Sequence, residues 1–191
     1  LSGSGERWRT VSLAGTRVVD SKLEVDAPWD EKNIREQQIV STFVEKQLRI
    51  KDIPCEISSP YTIVAGNLQH LRTDFSFHLD NESPLGDLLD ALHPTPAVCG
   101  HPKREAYRLI LAQEGFDRSY YSGFVGPLQL HGQTHLFVNI RCLRVDADEL
   151  VFFAGGGLMT DSELDSEWKE TEAKLQTLLS ILESSSCTPA N

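Results

Sequence analysis

Residues 121–154 read YSGFVGPLQLHGQTHLFVNIRCLRVDADELVFFA. Apolar and β-branched residues recur here in short runs, and turn residues rather than a helix-forming stretch separate the runs. Turns are expected at His131-Gly132 and at 146–148. The stretch therefore predicts an antiparallel meander. Strands in runs, with helices set between groups of them, indicate an α+β fold of antiparallel sheets packed with helices, not strict βαβ alternation.

Downstream comes Ala154-Gly155-Gly156-Gly157, and Ser162 can cap a helix over 163–183 with Asp165 as its capping-box partner. Leu164, Trp168, Thr171, Leu175, Leu178 and Leu182 define the apolar stripe of that helix. Glu167, Glu170 and Lys174 border the stripe at i, i+3 and i+7. Upstream, 103–114 reads as a helix stopped by Gly115. A short helix over Leu85–Leu92 is broken by His93-Pro94-Thr95-Pro96. Residues 61–79 read as extended, with a bend near Arg72-Thr73. Asp30 is placed to cap a helix over 31–50, whose stripe is Ile39, Val40, Phe43, Val44 and Leu48. Residues 7–13 and 15–19 alternate as a strand pair. No internal repeat or linker divides the chain, so one domain is expected over 1–183, followed by a disordered tail over 184–191.

The 191 residues include 18 basic and 28 acidic ones, a formal net charge of −10. That balance argues against a nucleic-acid backbone or an anionic membrane as partner, since both need a positive footprint. It also makes single Arg and Lys positions informative if the ligand is an anion. No run of 18 apolar residues is present, and no signal peptide is read. The four cysteines, Cys55, Cys99, Cys142 and Cys187, are widely spaced with no C-x-x-C pair, which points to a reduced, cytoplasmic protein. The chain starts at Leu1 without an initiator Met and reads as a fragment of something longer.

Several residues sit where packing alone would not put them. Glu36 shares a helix face with Val40 and Phe43. A carboxylate there is either an edge residue in an ion pair or a ligand whose metal offsets its burial. Glu167, Glu170 and Lys174 are either a solvated face or, following the triple glycine, part of an anion-binding site. No G-K-[ST] follows the glycines, so this is not a P-loop. Arg141, read within a strand over 136–143 beside Phe137, Asn139 and Leu143, is either exposed or a carboxylate clamp. His70, read on a face with Val64 and Leu68, is either a satisfied core histidine or a catalyst. His131 and His135 have no third ligand, so no zinc site is expected.

Taken in order, the motifs resemble those of the chorismate-binding enzymes, which include isochorismate, salicylate, anthranilate and aminodeoxychorismate synthases. They are Leu13-Ala14-Gly15-Thr16-Arg17, Glu31-Lys32-Asn33-Ile34-Arg35-Glu36 and Gln69-His70-Leu71. They continue with Leu92 to Gly100 (LHPTPAVCG), Arg118 to Gly123 (RSYYSG), Asn139-Ile140-Arg141, and the triple glycine leading to Ser162, Glu167-Trp168-Lys169-Glu170-Thr171 and Lys174. The set spans nearly the whole chain and is most similar to isochorismate synthases.

The resemblance implies the C-terminal part of the anthranilate synthase component I-like fold. It implies conversion of chorismate to isochorismate with Mg²⁺ held by Glu36 and Glu170 and with Glu167 close by. Arg141 and Lys174 would hold substrate carboxylates. Gly155 and Gly157 would bind through backbone N–H groups, and Gly15, Thr16, Ala97, Tyr121 and Ile140 would line the substrate. His70 would be catalytic. Both menaquinone and siderophore pathways use this reaction. Two positions depart from most relatives: Gln37 stands where histidine is usual, and Asn33 where an acid is usual. The resemblance also places a water-activating lysine and a proton-donating glutamate upstream of Leu1. The missing N-terminal part of the same enzyme is therefore an expected partner, and the chain alone is expected to be inactive.

Overall fold

A computed structural model of the protein describes residues 1–19, 27–80 and 85–185. Its elements, in chain order, are β1 (Ser2–Ser4), β2 (Arg7–Val18), α1 (Glu31–Ile50), β3 (Cys55–Ile57), β4 (Tyr61–Ala65), β5 (Leu68–His78), α2 (Leu85–Leu92), α3 (Pro96–Cys99) and α4 (Lys103–Gln113). They continue with β6 (Phe124–Val125), β7 (Gln133–His135), β8 (Phe137–Val138), β9 (Cys142–Val145), β10 (Leu150–Phe153) and α5 (Leu164–Ser185). All strand pairs in the named sheets are antiparallel, and the fold is α+β.

Helix α1 starts where its capping residue dictates. The Asp30 carboxylate accepts the Asn33 backbone N–H at 2.9 Å and the Asn33 side-chain amide at 2.6 Å. The helix buries Asn33, Gln37, Val40, Val44 and Leu48. Val44 and Leu48 join Phe75 and Phe77 of β5, Leu79, and Leu88 and Leu92 of α2 in one core cluster. The half nearer the cap is polar: the Gln37 amide lies 2.9 Å from Ser12 Oγ and 3.1 Å from Thr73 Oγ1. Gln37 thus ties α1 to the two central strands by side-chain hydrogen bonds.

The main sheet runs β3-β5-β2-β1-β7, with β4 also on β5. The strand pair expected over 7–19 is instead the single strand β2. Its register on β5 slips between Ala14, which faces Leu71, and Thr16, which faces His70. Gly15 is the extra residue, at φ 73°, and makes a bulge where a turn was expected. The expected bend at Arg72-Thr73 is absent. β5 pairs continuously with β2 there, and the chain turns at Gly66-Asn67 instead, with Gly66 at φ 63°. The β4–β5 register sets Val64 against Gln69 and Ile63 against His70. Val64 therefore shares a face with Gln69, and not with His70 as the alternation implied.

Residues 121–154 are strand-rich but do not form one meander. β6 pairs with β8, β7 joins the main sheet beside β1, and β9–β10 is a separate hairpin. Backbone at positive φ interrupts the run, at Gly126 (143°) and Arg141 (50°). Both expected turns are present. Leu130 bridges Gln133 around His131-Gly132, and the Asp146 N–H donates to Glu149 O at 2.9 Å. Helices α2 and α4 fall where expected. Helix α3 was not foreseen; Pro96 opens it, where a missing N–H costs nothing. Helix α5 runs to Ser185, and residues 186–191 of the expected tail lie outside the described residues.

The bulge yields a direct prediction. A Cβ at Gly15 would force a left-handed side-chain residue and stand 3.1 Å from Asn33 O. Gly15→Ala should lower the unfolding free energy by about 1–2 kcal/mol, the cost of a non-glycine residue in that backbone region. Urea unfolding with an unchanged m-value is the check.

Candidate active site

The triple glycine after β10 lies against both carboxylate-bearing helices. A Cβ at Gly157 would sit 3.3 Å from Glu36 Oε1 of α1. One at Gly156 would sit 3.5 Å from Glu170 Oε1, 3.6 Å from Glu167 Oε2 and 3.7 Å from Lys174 Nζ, all of α5. Residues far apart in sequence thus converge on one loop, and glycine lets the backbone come that close. Lys174 Nζ donates to Glu170 at 2.7 Å and to Gly155 O at 3.1 Å, which ties helix and loop together.

The stripe read from the sequence is half-buried at Thr171, Leu175 and Leu178, but the start of α5 turns a different face inward. Glu167 is 8% exposed, whereas Leu164 and Trp168 are 83% and 64% exposed. The charged border turns inward because it has partners there. Glu167 is paired with Lys32 of α1 and accepts the Ser162 hydroxyl. Ser162 also accepts the Met159 N–H at 2.9 Å, so it braces Glu167 and the preceding loop and does not form a capping box with Asp165. Arg35–Asp161 makes a second bridge between α1 and the segment before α5.

Electrostatics separates Glu36 from Glu167. Burial raises the Glu36 pKa above its ordinary value, and the nearby Glu170 charge raises it further. Glu167 moves the other way: its hydrogen bonds from Lys32 and Ser162 outweigh its own burial. Glu36 therefore wants a positive partner and Glu167 already has one. This donor set fits a hard dication held by Glu36 and Glu170. Mg²⁺ takes one or two carboxylates and keeps waters or substrate oxygens for the rest. Among the described residues, no group of three or more His, Cys, Asp or Glu side chains is placed to hold a metal ion, so the fit rests on two carboxylates.

A cationic group stands nearby. The apolar pattern over 136–143 predicts Arg141 within a strand, but it lies between β8 and β9 on a bend at φ 50°. Its guanidinium reaches back to β5, where one Nη lies 2.7 Å from His70 Nε2. Its Nε is buried with no hydrogen-bond partner, and the Glu170 carboxylate supports its charge against burial. A buried N–H without an acceptor is costly, and an anionic ligand would satisfy it. His70 is 3% exposed and contacts Gly15 O at 3.1 Å and Thr16 Oγ1 at 3.3 Å. The Thr16 N–H donates to Asn33 Oδ1 at 2.8 Å.

The other residues singled out in the sequence divide. Tyr121 is stacked on Phe153 at 5.6 Å, and its hydroxyl lies 2.8 Å from where a Gly155 Cβ would stand, so it borders the loop. Ile140 is 42% exposed beside Arg141. Ala97 is half-buried on α3 and takes no part in the contacts just described. Lys32 was not singled out: a lysine in the first turn of an amphipathic helix looks like an ordinary solvated one. The role of Asn33 is not legible in the sequence either, because the Thr16 N–H that its side-chain oxygen accepts lies on β2.

Known proteins resemble this arrangement over nearly its whole length. The family model described as "Chorismate binding enzyme" matches residues 1–183. Isochorismate synthase EntC of Escherichia coli K12 is 33% identical over 188 residues, which are 95% of this chain and 48% of EntC. A putative isochorismate synthase, MenF of Mycobacterium tuberculosis H37Rv, is 35% identical over 193 residues, 95% of this chain and 51% of the relative. The solved structure of MenF, the menaquinone-specific isochorismate synthase from E. coli, superposes with a TM-score of 0.81 at 29% identity, covering 93% of this chain and 43% of that one. The putative 2,3-dihydroxybenzoate-specific isochorismate synthase DhbC from Bacillus anthracis gives 0.81 at 31% identity, with 95% and 51% covered. The chain spans about half the length of these relatives.

The crowding of Glu36 can be tested without any ligand. A folded-state pKa above the unfolded one means that ionising Glu36 opposes folding, so stability is lost as pH rises from the unfolded value through the folded one. In metal-free buffer, Glu36→Gln should therefore be more stable than wild type at pH 7, and the advantage should vanish below the ordinary carboxylate range. Paired denaturation curves at the two pH values measure this.

Proposed function

The chain belongs to the chorismate binding enzyme family, and on that premise we propose that it forms the metal- and carboxylate-binding half of a Mg²⁺-dependent isochorismate synthase. The observation that carries this reading is the pairing of opposite charges around one glycine loop. Glu36 and Glu170 crowd it from two helices, while Lys174 and the under-satisfied Arg141 stand beside them. A small dianion presenting one carboxylate to a metal and another to a guanidinium matches that division.

In this reading Glu36 and Glu170 hold Mg²⁺, with Glu167 acting from further out because Lys32 and Ser162 already occupy it. When bound, Mg²⁺ supplies positive charge that orients a ring carboxylate and offsets charge developing on it. Arg141 and Lys174 bind substrate carboxylates, and the N–H groups of Gly155 and Gly157 add donors. Thr16, Ala97, Tyr121 and Ile140 line the ring. Holding a rigid substrate between these groups contributes by orientation. The groups that move protons on and off the ring belong to the additional length of the relatives, which the 191 residues do not span. The acidic charge balance argues against a nucleic-acid partner, and among the described residues no helix is long and apolar enough to cross a membrane.

The test is product analysis with chorismate and Mg²⁺. The 191-residue chain alone should give no isochorismate, since acid and base groups are each worth about 10²–10⁴ in rate. Joined to the segment that precedes it in full-length relatives, it should release isochorismate, and Glu170→Gln should reduce activity and Mg²⁺ dependence together. Ala97→Thr, which adds a hydroxyl beside the ring, should introduce some pyruvate release. Salicylate or anthranilate as the main wild-type product would overturn the reading.

A further inference from the structure

The arrangement of His70 invites a different role from the catalytic one implied by its motif. We propose that His70 is a positioning residue whose Nε2 lone pair holds the Arg141 guanidinium in place, in a tautomer fixed by the Gly15 bulge. The role in substrate binding rests on the chorismate reading above; the tautomer and the anchor do not.

Donor and acceptor chemistry leaves one self-consistent assignment. A guanidinium can only donate, so the 2.7 Å contact makes His70 Nε2 the acceptor. A neutral imidazole then carries its proton on Nδ1, and Gly15 O, 3.1 Å away, accepts it. The opposite tautomer would aim Nε2–H at a guanidinium N–H and the Nδ1 lone pair at a carbonyl oxygen, both repulsive. An imidazolium would face the charges of Arg141 and Lys174. Burial and those two cations hold its pKa down to about 4. At neutral pH the ring therefore has no proton on Nε2 to give and no free lone pair with which to take one.

Arg141 needs such an anchor. It sits on a connecting bend, while its guanidinium must stay fixed with a buried, unpartnered Nε. His70 is fully inside a strand paired on both sides, by Ile63 and Thr16. The Gly15 carbonyl is aimed by the bulge, and the bulge is pinned in turn. Thr16 N–H donates to Asn33 Oδ1, and the Asn33 amide donates to Asp30 Oδ2. This relay explains why an amide suits position 33: an aspartate could accept from Thr16 but could not donate to Asp30. The same residues cap α1, the helix that carries Glu36. One chain of hydrogen bonds thus sets the acidic and the cationic sides of the site relative to each other.

Two measurements test this. Long-range ¹H–¹⁵N spectra of the labelled 191-residue chain should show His70 as the neutral Nδ1–H tautomer at neutral pH, with no protonation until about pH 4. An Nε2–H tautomer, or titration at the ordinary histidine value, would overturn the proposal. In the chain joined to its upstream segment, His70→Phe should raise KM for chorismate roughly tenfold or more, the loss of a hydrogen bond to a charged group. Its kcat should change little, and His70→Gln, which keeps an acceptor, should restore KM. A kcat loss of about 10²–10⁴ in both variants would instead mark an acid or base. If the spectra match but chorismate is not turned over, the functional reading has failed and the anchor stands.

Discussion

Like charges pressed against a backbone with no side chains are the constraint from which the rest follows. Glu36, Glu167 and Glu170 come from two helices and meet on Gly156 and Gly157, in a protein whose net charge is already −10. Carboxylates drawn together partly out of water repel one another unless compensated. The chain compensates unevenly. Glu167 has Lys32 and a hydroxyl, and Glu170 has Lys174. Glu36 is left with burial and repulsion as its dominant influences. That asymmetry is what the proposed metal site would require; in a network of surface ion pairs each acid would find its own base.

The supporting structure serves to hold these groups against their repulsion. Val44 and Leu48 of α1 and Phe75 and Phe77 of β5 lock helix to sheet at one end. At the other end the helix–sheet contact is polar and passes through Gln37, Asn33 and the Gly15 bulge. The apolar end supplies stability without direction, since burial is roughly proportional to area. The polar end supplies direction, because each hydrogen bond fixes an angle as well as a distance. The site lies at the polar end.

The sequence was legible wherever the determining interaction is local. The Asp30 cap, the extents of α1, α2 and α4, and the turns at 131–132 and 146–148 all follow from residues within one turn of each other. Strand partnership was not legible in the same way. β7 pairs with β1 from the opposite end of the chain, and no alternation within 121–154 encodes that. Glycine 15 was ambiguous between a turn and a bulge until its partner strand was known. The site residues stood out as carboxylates and cations beside apolar positions, but their orientation did not. Helix α5 turns its acids inward and Trp168 outward because Lys32 and Ser162 wait on the inner side. Arg141 escaped its strand because a positive-φ bend precedes β9.

The central claim is that Glu36 and Glu170 act as one site for a divalent cation, and binding thermodynamics tests it most directly. Mg²⁺ affinity would be measured by calorimetry for the wild-type chain, Glu36→Gln, Glu170→Gln and the double variant. A shared ion predicts that each single change removes most of the binding and that the double change adds nothing further, a strongly non-additive cycle. Independent, additive losses, or Mg²⁺ binding untouched by either change, would contradict the account.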